Sequence, residues 1–257
     1  MHAGACDPTA ILQAVYACSS ESDGPDSILK TLDDLAYQDS SIKVLTELWT
    51  DVAGKGIVSG LVSDFFANEE AYFFSAVHRE AFLDDMKSPV TARFCSPLLV
   101  NAICAVRSVS LSRTGRETLN VEELMILHQC FSLNARIMGH LTRENMCEKF
   151  LLKSVSLLER EANRISIPTA LALYLMFTAY KYIGKDSDGI VFHGMSLRYL
   201  KQLNLVERFA TLNPNDPTEE RERRVISKAL WGIWTAEWYL QASLQFWRPW
   251  ALWLITI

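Results

Sequence analysis

Ser96-Pro97-Leu98-Leu99-Val100-Asn101-Ala102-Ile103-Cys104-Ala105-Val106 is the stretch on which the fold class turns. Serine can accept from the free amides of a helix start, and proline suits the first helical position, where its missing N–H is not needed. The apolar residues that follow recur at helical rather than alternating spacing, so a helix is predicted from Pro97 onward. The same grammar repeats along the chain. Asn120 and Glu123 form a capping box ahead of Leu124, Leu127, His128 and Phe131. Pro168 opens an apolar helix from Thr169 to Ile183, with Gly184 placed to end it. Asp216-Pro217-Thr218-Glu219 precedes a long helix from Arg221 to about residue 246. Ile57, Leu61, Val62, Phe65 and Phe66 mark another helix after the breakers Gly54 and Gly56. No alternating run of useful length and no Asn-Gly or Asp-Gly hairpin appears. The predicted class is all-α, a single helical domain of packed helix pairs.

Composition agrees. The chain has 257 residues, 49% hydrophobic and 21% charged, with only 11 Gly and 8 Pro. That is a globular composition with enough apolar material for a sizeable core, and it favours helices over a many-turned β fold. Residues 1–45 are the exception, predicted as a weakly structured flank. Ile11 to Cys18 could make two helical turns before the loop Ser19-Ser20-Glu21-Ser22-Asp23-Gly24-Pro25, and Asp33, Asp34 and Asp39 give it an acidic cast. The net charge of −5 argues against a chain that grips DNA alone, because phosphate neutralisation supplies much of that affinity. Its richest basic run, Arg221-Glu222-Arg223-Arg224, is diluted by acidic neighbours and reads as a solvated helix start. The uncharged run Ile165–Tyr180 falls short of the roughly 20 residues a membrane span requires. It reads as a buried helix, as does the Trp-rich stretch from Ala229 to Trp247. No membrane partner is expected.

The search for chemistry is negative. Gly194-Met195-Ser196-Leu197-Arg198 lacks the closing glycine of a nucleophile elbow, and Gly54-Lys55-Gly56 lacks the spacing of a phosphate loop. His78-Arg79-Glu80 cannot place two imidazoles on one helical face. The six cysteines, Cys6, Cys18, Cys95, Cys104, Cys130 and Cys147, show no Cys-x2-Cys pair, so they are expected to be reduced, buried thiols rather than zinc ligands. His128 and Cys130 would point to different faces, and His140 with Cys147 is a pair without a third ligand. Glu122 and Glu123 suit a helix start, and Asp84 and Asp85 are expected to end a helix in solvent. No enzyme, cofactor or metal site is expected.

Aromatic residues are the remaining signal. Six of the seven tryptophans lie between Trp231 and Trp253. Trp231, Trp234 and Trp238 are spaced three then four, which sets them along one helical face. The plain expectation for such a stripe is core packing. The sharper one is an effector pocket or partner surface at Trp231, Trp234 and Trp238.

Three segments in order resemble the regulatory domain of fungal zinc binuclear cluster transcription factors, the middle homology region. Leu61-Val62-Ser63-Asp64-Phe65-Phe66, then Phe73 to Leu83, is similar to the family's helix followed by a link ending in His-Arg-x-x-Phe-Leu, carried here by His78, Arg79, Phe82 and Leu83. Ser96 to Ala105 is similar to its Ser-Pro-Leu-Leu-x-Asn-Ala-Ile helix. His193 to Leu205 resembles its Gly-x-Ala-x-Arg helix. Glu219 to Arg224, followed by the Trp-rich helix, resembles its Glu-x-x-Arg-Arg-x-x-Trp pattern, and Arg248-Pro249 falls where the family has Gly-Arg-Pro. The departures are Tyr72, Ser75 and Glu80 in place of link prolines, and Trp247 in place of the glycine.

The resemblance implies a fungal transcription factor domain over 46–257, cut short of further C-terminal helices and lacking the family's zinc cluster. It implies transcriptional control in the nucleus through contacts with a partner or small-molecule effector. The implied partners are the transcription machinery, a co-regulator or a second copy of the chain, with DNA reached only through a zinc cluster domain. Two other classes stay open on the residues: a helical interaction module unrelated to transcription, and an enzyme on an unfamiliar helical fold.

Overall fold

The computed structural model describes residues 30, 33–34, 36–38, 40–67, 76–114, 143–161 and 164–243. These residues form helices joined by turns and short 3-10 segments, with no strand among them, so the chain is all-α. The elements are α1 (Lys55–Ala67), α2 (Arg79–Lys87), α3 (Pro97–Thr114), α4 (Arg143–Arg160), α5 (Ile167–Tyr182), α6 (Asp186–Gln202), α7 (Leu205–Thr211) and α8 (Pro217–Ser243). The expected helix at Ile11–Cys18, the capping box at Asn120–Glu123, and His128, Cys130 and His140 lie outside the described residues. So do Cys6, Cys18, Phe73 to Ser75, Trp247, Arg248, Pro249, Trp250 and Trp253.

Two helices without a polar face set the arrangement. In α3 every residue from Leu98 to Val106 is buried, and in α5 the same holds from Ile167 to Phe177. A helix that is apolar all round must be covered on several sides. Helices α1, α4 and α5 pack on α3, while α4, α6 and α8 pack on α5. The outer helices need only one apolar stripe each. In α4 it is Cys147, Phe150 and Leu151, with Ser154 closing it by donating to the Phe150 carbonyl at 2.8 Å.

Helix starts follow the sequence grammar. The Leu99 N–H donates to Ser96 Oγ at 3.1 Å, the Thr169 N–H to Ser166 Oγ at 3.3 Å, and the Thr218 and Glu219 N–H groups to Asp216 Oδ1 at 2.8 and 3.1 Å. Each satisfies amides that no helical carbonyl can reach. Gly184 ends α5 at φ +75°, a left-handed conformation that costs glycine little, and the chain turns straight into α6. The two then pack as a hairpin, closely enough that a Cβ at Gly189 would lie 2.8 Å from Tyr180 Cβ.

Asp33 and residues 42–44, within the expected flank, are docked on α1. Asp33 Oδ1 accepts from the Gly56 and Ile57 N–H groups at 3.0 and 3.1 Å, capping α1 from a distance. Ile42 and Val44 are buried, and their N–H groups donate to Ser63 and Ser59 Oγ. An irregular segment can be buried only when its backbone groups find such partners.

Candidate interaction surface on the last helix

The start of α8 is an ionic anchor rather than the solvated helix start its composition suggests. Glu222 is 5% exposed. Its Oε2 accepts from Arg93 Nη2 at 2.8 Å, and its Oε1 pairs with Arg208 of α7 without hydrogen-bond alignment. Arg221 donates to Asp85 Oδ1 and to the Ala81 carbonyl, both at 3.1 Å. Arg223 lies over the Phe209 ring and donates to the Phe209 and Leu212 carbonyls. A buried carboxylate is tolerated only when paired and hydrogen-bonded, which is why this turn of α8 is tied to its surroundings.

Asp85 also departs from expectation, since it does not end α2 in solvent. It is 7% exposed and accepts from the Arg93 and Phe94 N–H groups at 2.6 and 2.5 Å as well as from Arg221. It thereby folds the 88–96 link back onto α2 and presents Arg93 to Glu222. His78, a failed metal motif and the first residue of the family-like His-Arg-x-x-Phe-Leu link, is the N-cap of α2: the Ala81 N–H donates to its Nδ1 at 3.3 Å, and Phe82 is fully buried.

Further along, α8 is held a second time. His193 of α6 pairs with Glu237, both largely buried, and the His193 ring lies 4.6 Å from Phe177 between centroids. Burial pushes the nearby Tyr174 phenol up, with smaller contributions from Tyr182 and Glu237. Between the two anchors Gly232 meets Ala76 so closely that a Cβ would lie 2.5 Å from the Ala76 Cα.

The expectation of a buried tryptophan stripe fails for the two that can be placed. Trp231 is 61% and Trp234 43% exposed, their rings edge-on with centroids 5.4 Å apart. Trp238 sits on the same helix, but its side chain lies outside the described ones. The physical reason is register. Glu222, Val225, Ile226, Ala229 and Ile233 make the inward stripe, and at about 100° per residue Trp231 falls roughly 140° round from Ile226. Trp231 and Trp234 do share a flank, and it is the outward one. Large exposed aromatics set side by side are the composition of a contact surface.

Other residues singled out by the sequence are structural. Asn101 is fully buried on α3. Cys95, Cys104 and Cys147 are free, buried thiols, and burial raises the pKa of each. Among the described residues no group of three His, Cys, Asp or Glu side chains could hold a metal ion, and no helix is long and apolar enough to cross a membrane.

No family model matches the chain, and no solved structure matches it. It is similar to the notoamide biosynthesis transcriptional activator notL' of Aspergillus versicolor, at 28% identity over 182 residues. The match takes in 70% of this chain and 25% of that protein, so the chain spans about a quarter of its relative's length.

Proposed function

We propose that the chain is the helical regulatory domain of a fungal transcription regulator, modulating transcription by contacts between the outer face of α8 and a partner protein or small-molecule effector. The likeness to a transcriptional activator carries this reading. The order of the family-like segments supports it, because their polar marks sit at the joints of this fold. Ser96 caps α3, His78 caps α2, and Arg221 and Arg223 tie α8 to α2 and to the end of α7. Exposed aromatics on a chain of net charge −5 suit contact with protein better than contact with phosphates.

In this reading the domain covers 46–257, acts in the nucleus, performs no catalysis and holds no cofactor. DNA contact belongs to a zinc cluster, for which these cysteines lack the spacing. Co-regulators, the transcription machinery or a second copy are the partners that fit. Helices with two anchors on one long element can repack between discrete states when a partner binds one of them better.

The test is a fusion of the chain to an unrelated DNA-binding domain, read on a reporter in a fungal host. A regulatory domain raises or lowers output against the DNA-binding domain alone. Unchanged output, with the fusion present in the nucleus, would sink the proposal and leave a helical interaction module unconnected with transcription.

A further inference from the structure

Two serines in the described part of the chain precede proline, and the fold treats them differently. Ser96 is spent on α3: its Oγ accepts the Leu99 N–H, and Cys95 before it is buried. Ser88, in Lys87-Ser88-Pro89-Val90, is exposed at the end of α2. It has φ −133° and ψ 71°, outside the helical region that a following proline disfavours in its neighbour. Val90 is completely exposed, and Pro89–Thr91 is a single 3-10 turn. An accessible hydroxyl on non-helical backbone directly before proline is what a proline-directed protein kinase looks for in a substrate.

We propose that Ser88 is a phosphorylation site for a proline-directed serine/threonine kinase, and that the phosphate loosens the hold of α2 on α8. This inference stands on the fold and does not depend on the transcriptional reading. In the transfer, Ser88 Oγ forms a bond to the γ-phosphorus of ATP as the bond to the β,γ-bridging oxygen breaks. ADP leaves, and the hydroxyl proton passes to the kinase's base. The product carries about −1.5 to −2 charge at pH 7.

That charge arrives in an unfavourable place. Ser88 is the C-cap of α2, its N–H donating to the Asp85 carbonyl at 3.1 Å, so the phosphate sits at the negative end of the helix dipole. Asp84 and Asp85 lie in the preceding turn. Asp85 is the acceptor that holds Arg221 of α8 and the Arg93 and Phe94 amides, and Arg221 also pairs with Asp84 at 3.8 Å. A dianion beside these carboxylates repels them and competes for the cations they hold, Arg221 and the Lys87 paired with Asp84. The contact with most to lose is Arg221–Asp85, the tie between α2 and the start of α8.

The experiment uses the full chain, Mg-ATP and a kinase of the cyclin-dependent class, with sites mapped by tandem mass spectrometry. The wild type and Ser96→Ala should each take phosphate at Ser88, and Ser88→Ala should lose that phosphate with its circular dichroism unchanged. On phosphorylation, amide exchange in 79–87 and 217–225 should quicken by about two- to five-fold, the worth of one part-exposed ion pair. In Arg221→Gln that exchange should start faster and gain little more from the phosphate. Ser88 left unmodified in the folded chain overturns the site, and phosphate at Ser88 with unchanged exchange overturns the loosening.

Discussion

Asn101 shows what a single polar residue in an apolar run can decide. Its Nδ2 donates to the Trp49 carbonyl at 3.1 Å and the Pro97 carbonyl at 2.7 Å, while its Oδ1 accepts from Thr50 Oγ1 at 2.8 Å. It is the peg that fixes the segment before α1 against α3. Asn101→Ala strands a buried carbonyl and a buried hydroxyl, and should cost about 2–3 kcal/mol, near the upper end for unsatisfied neutral groups. Urea denaturation at pH 7 measures it; a loss below half a kilocalorie would mean the peg is dispensable. Cys147 gives a pH-dependent counterpart. Burial pushes its thiol up to about 12, with Glu148 adding to the rise and Lys185 opposing it. A group whose pKa is raised on folding stabilises the native state below its unfolded value, roughly 8.5 for a thiol. That contribution drains away as pH climbs from there toward the folded value. Stability should therefore fall on the alkaline side, and Cys147→Ala should flatten the fall. At pH 8 Cys147 should resist alkylation until the chain is denatured, and rapid native labelling would show the site to be open. Both residues were legible in the sequence, Asn101 as the amide of the family-like helix and Cys147 as an unpaired cysteine. Neither partner set was, because Asn101 reaches 52 residues back to Trp49.

Helix α8 is the element where sequence pattern and structure part company. Its start and its cap were readable, because Asp216 and Pro217 act locally. Its inward face was not, because Arg93 and Glu222 meet across 129 residues and Arg221 and Asp85 across 136. A charge run has no periodicity to say which member is desolvated. Tryptophans at helical spacing, likewise, fix a shared face but not its direction. What aims the face is packing at Gly232, where α8 lies against Ala76 too closely for any side chain. Gly232→Ala must push backbone from backbone and should destabilise by about 1–3 kcal/mol, the ordinary cost of overpacking. Gly194 on α6 is the control, since its Cβ would meet nothing within 4 Å. There alanine only restricts the unfolded chain and improves helix propensity, so Gly194→Ala should stabilise by about 0.5–1 kcal/mol. Thermal melts of the two variants should move in opposite directions. A shift of the same sign in both would mean that α8 is not seated on residue 76.

At the scale of the molecule, the fold divides its aromatic residues between two tasks. Phe82 and Phe150 are fully buried and belong to the hydrophobic core, whereas Trp231 and Trp234 stand outside it on the outward flank of α8. Burial at about 25 cal/mol per Å² rewards the first pair on folding and leaves most of the second pair's apolar area in water. That area becomes favourable only when something else covers it. Stability and function should therefore separate by mutation. Phe82→Ala should cost about 3–5 kcal/mol and deplete the folded chain, whatever the assay. The double variant Trp231→Ala, Trp234→Ala should keep the melting temperature within a few degrees, because exposed substitutions usually fall within about ±0.5 kcal/mol. Fused to a foreign DNA-binding domain, the same variant should lose most of the wild-type effect on a reporter, since truncating aromatic anchors at a contact typically costs about 2 kcal/mol or more. A double variant that melts normally and still drives the reporter would remove α8's outer face from the proposed regulatory contact. One that unfolds would return the tryptophans to the core and undo the division of labour argued from their exposure.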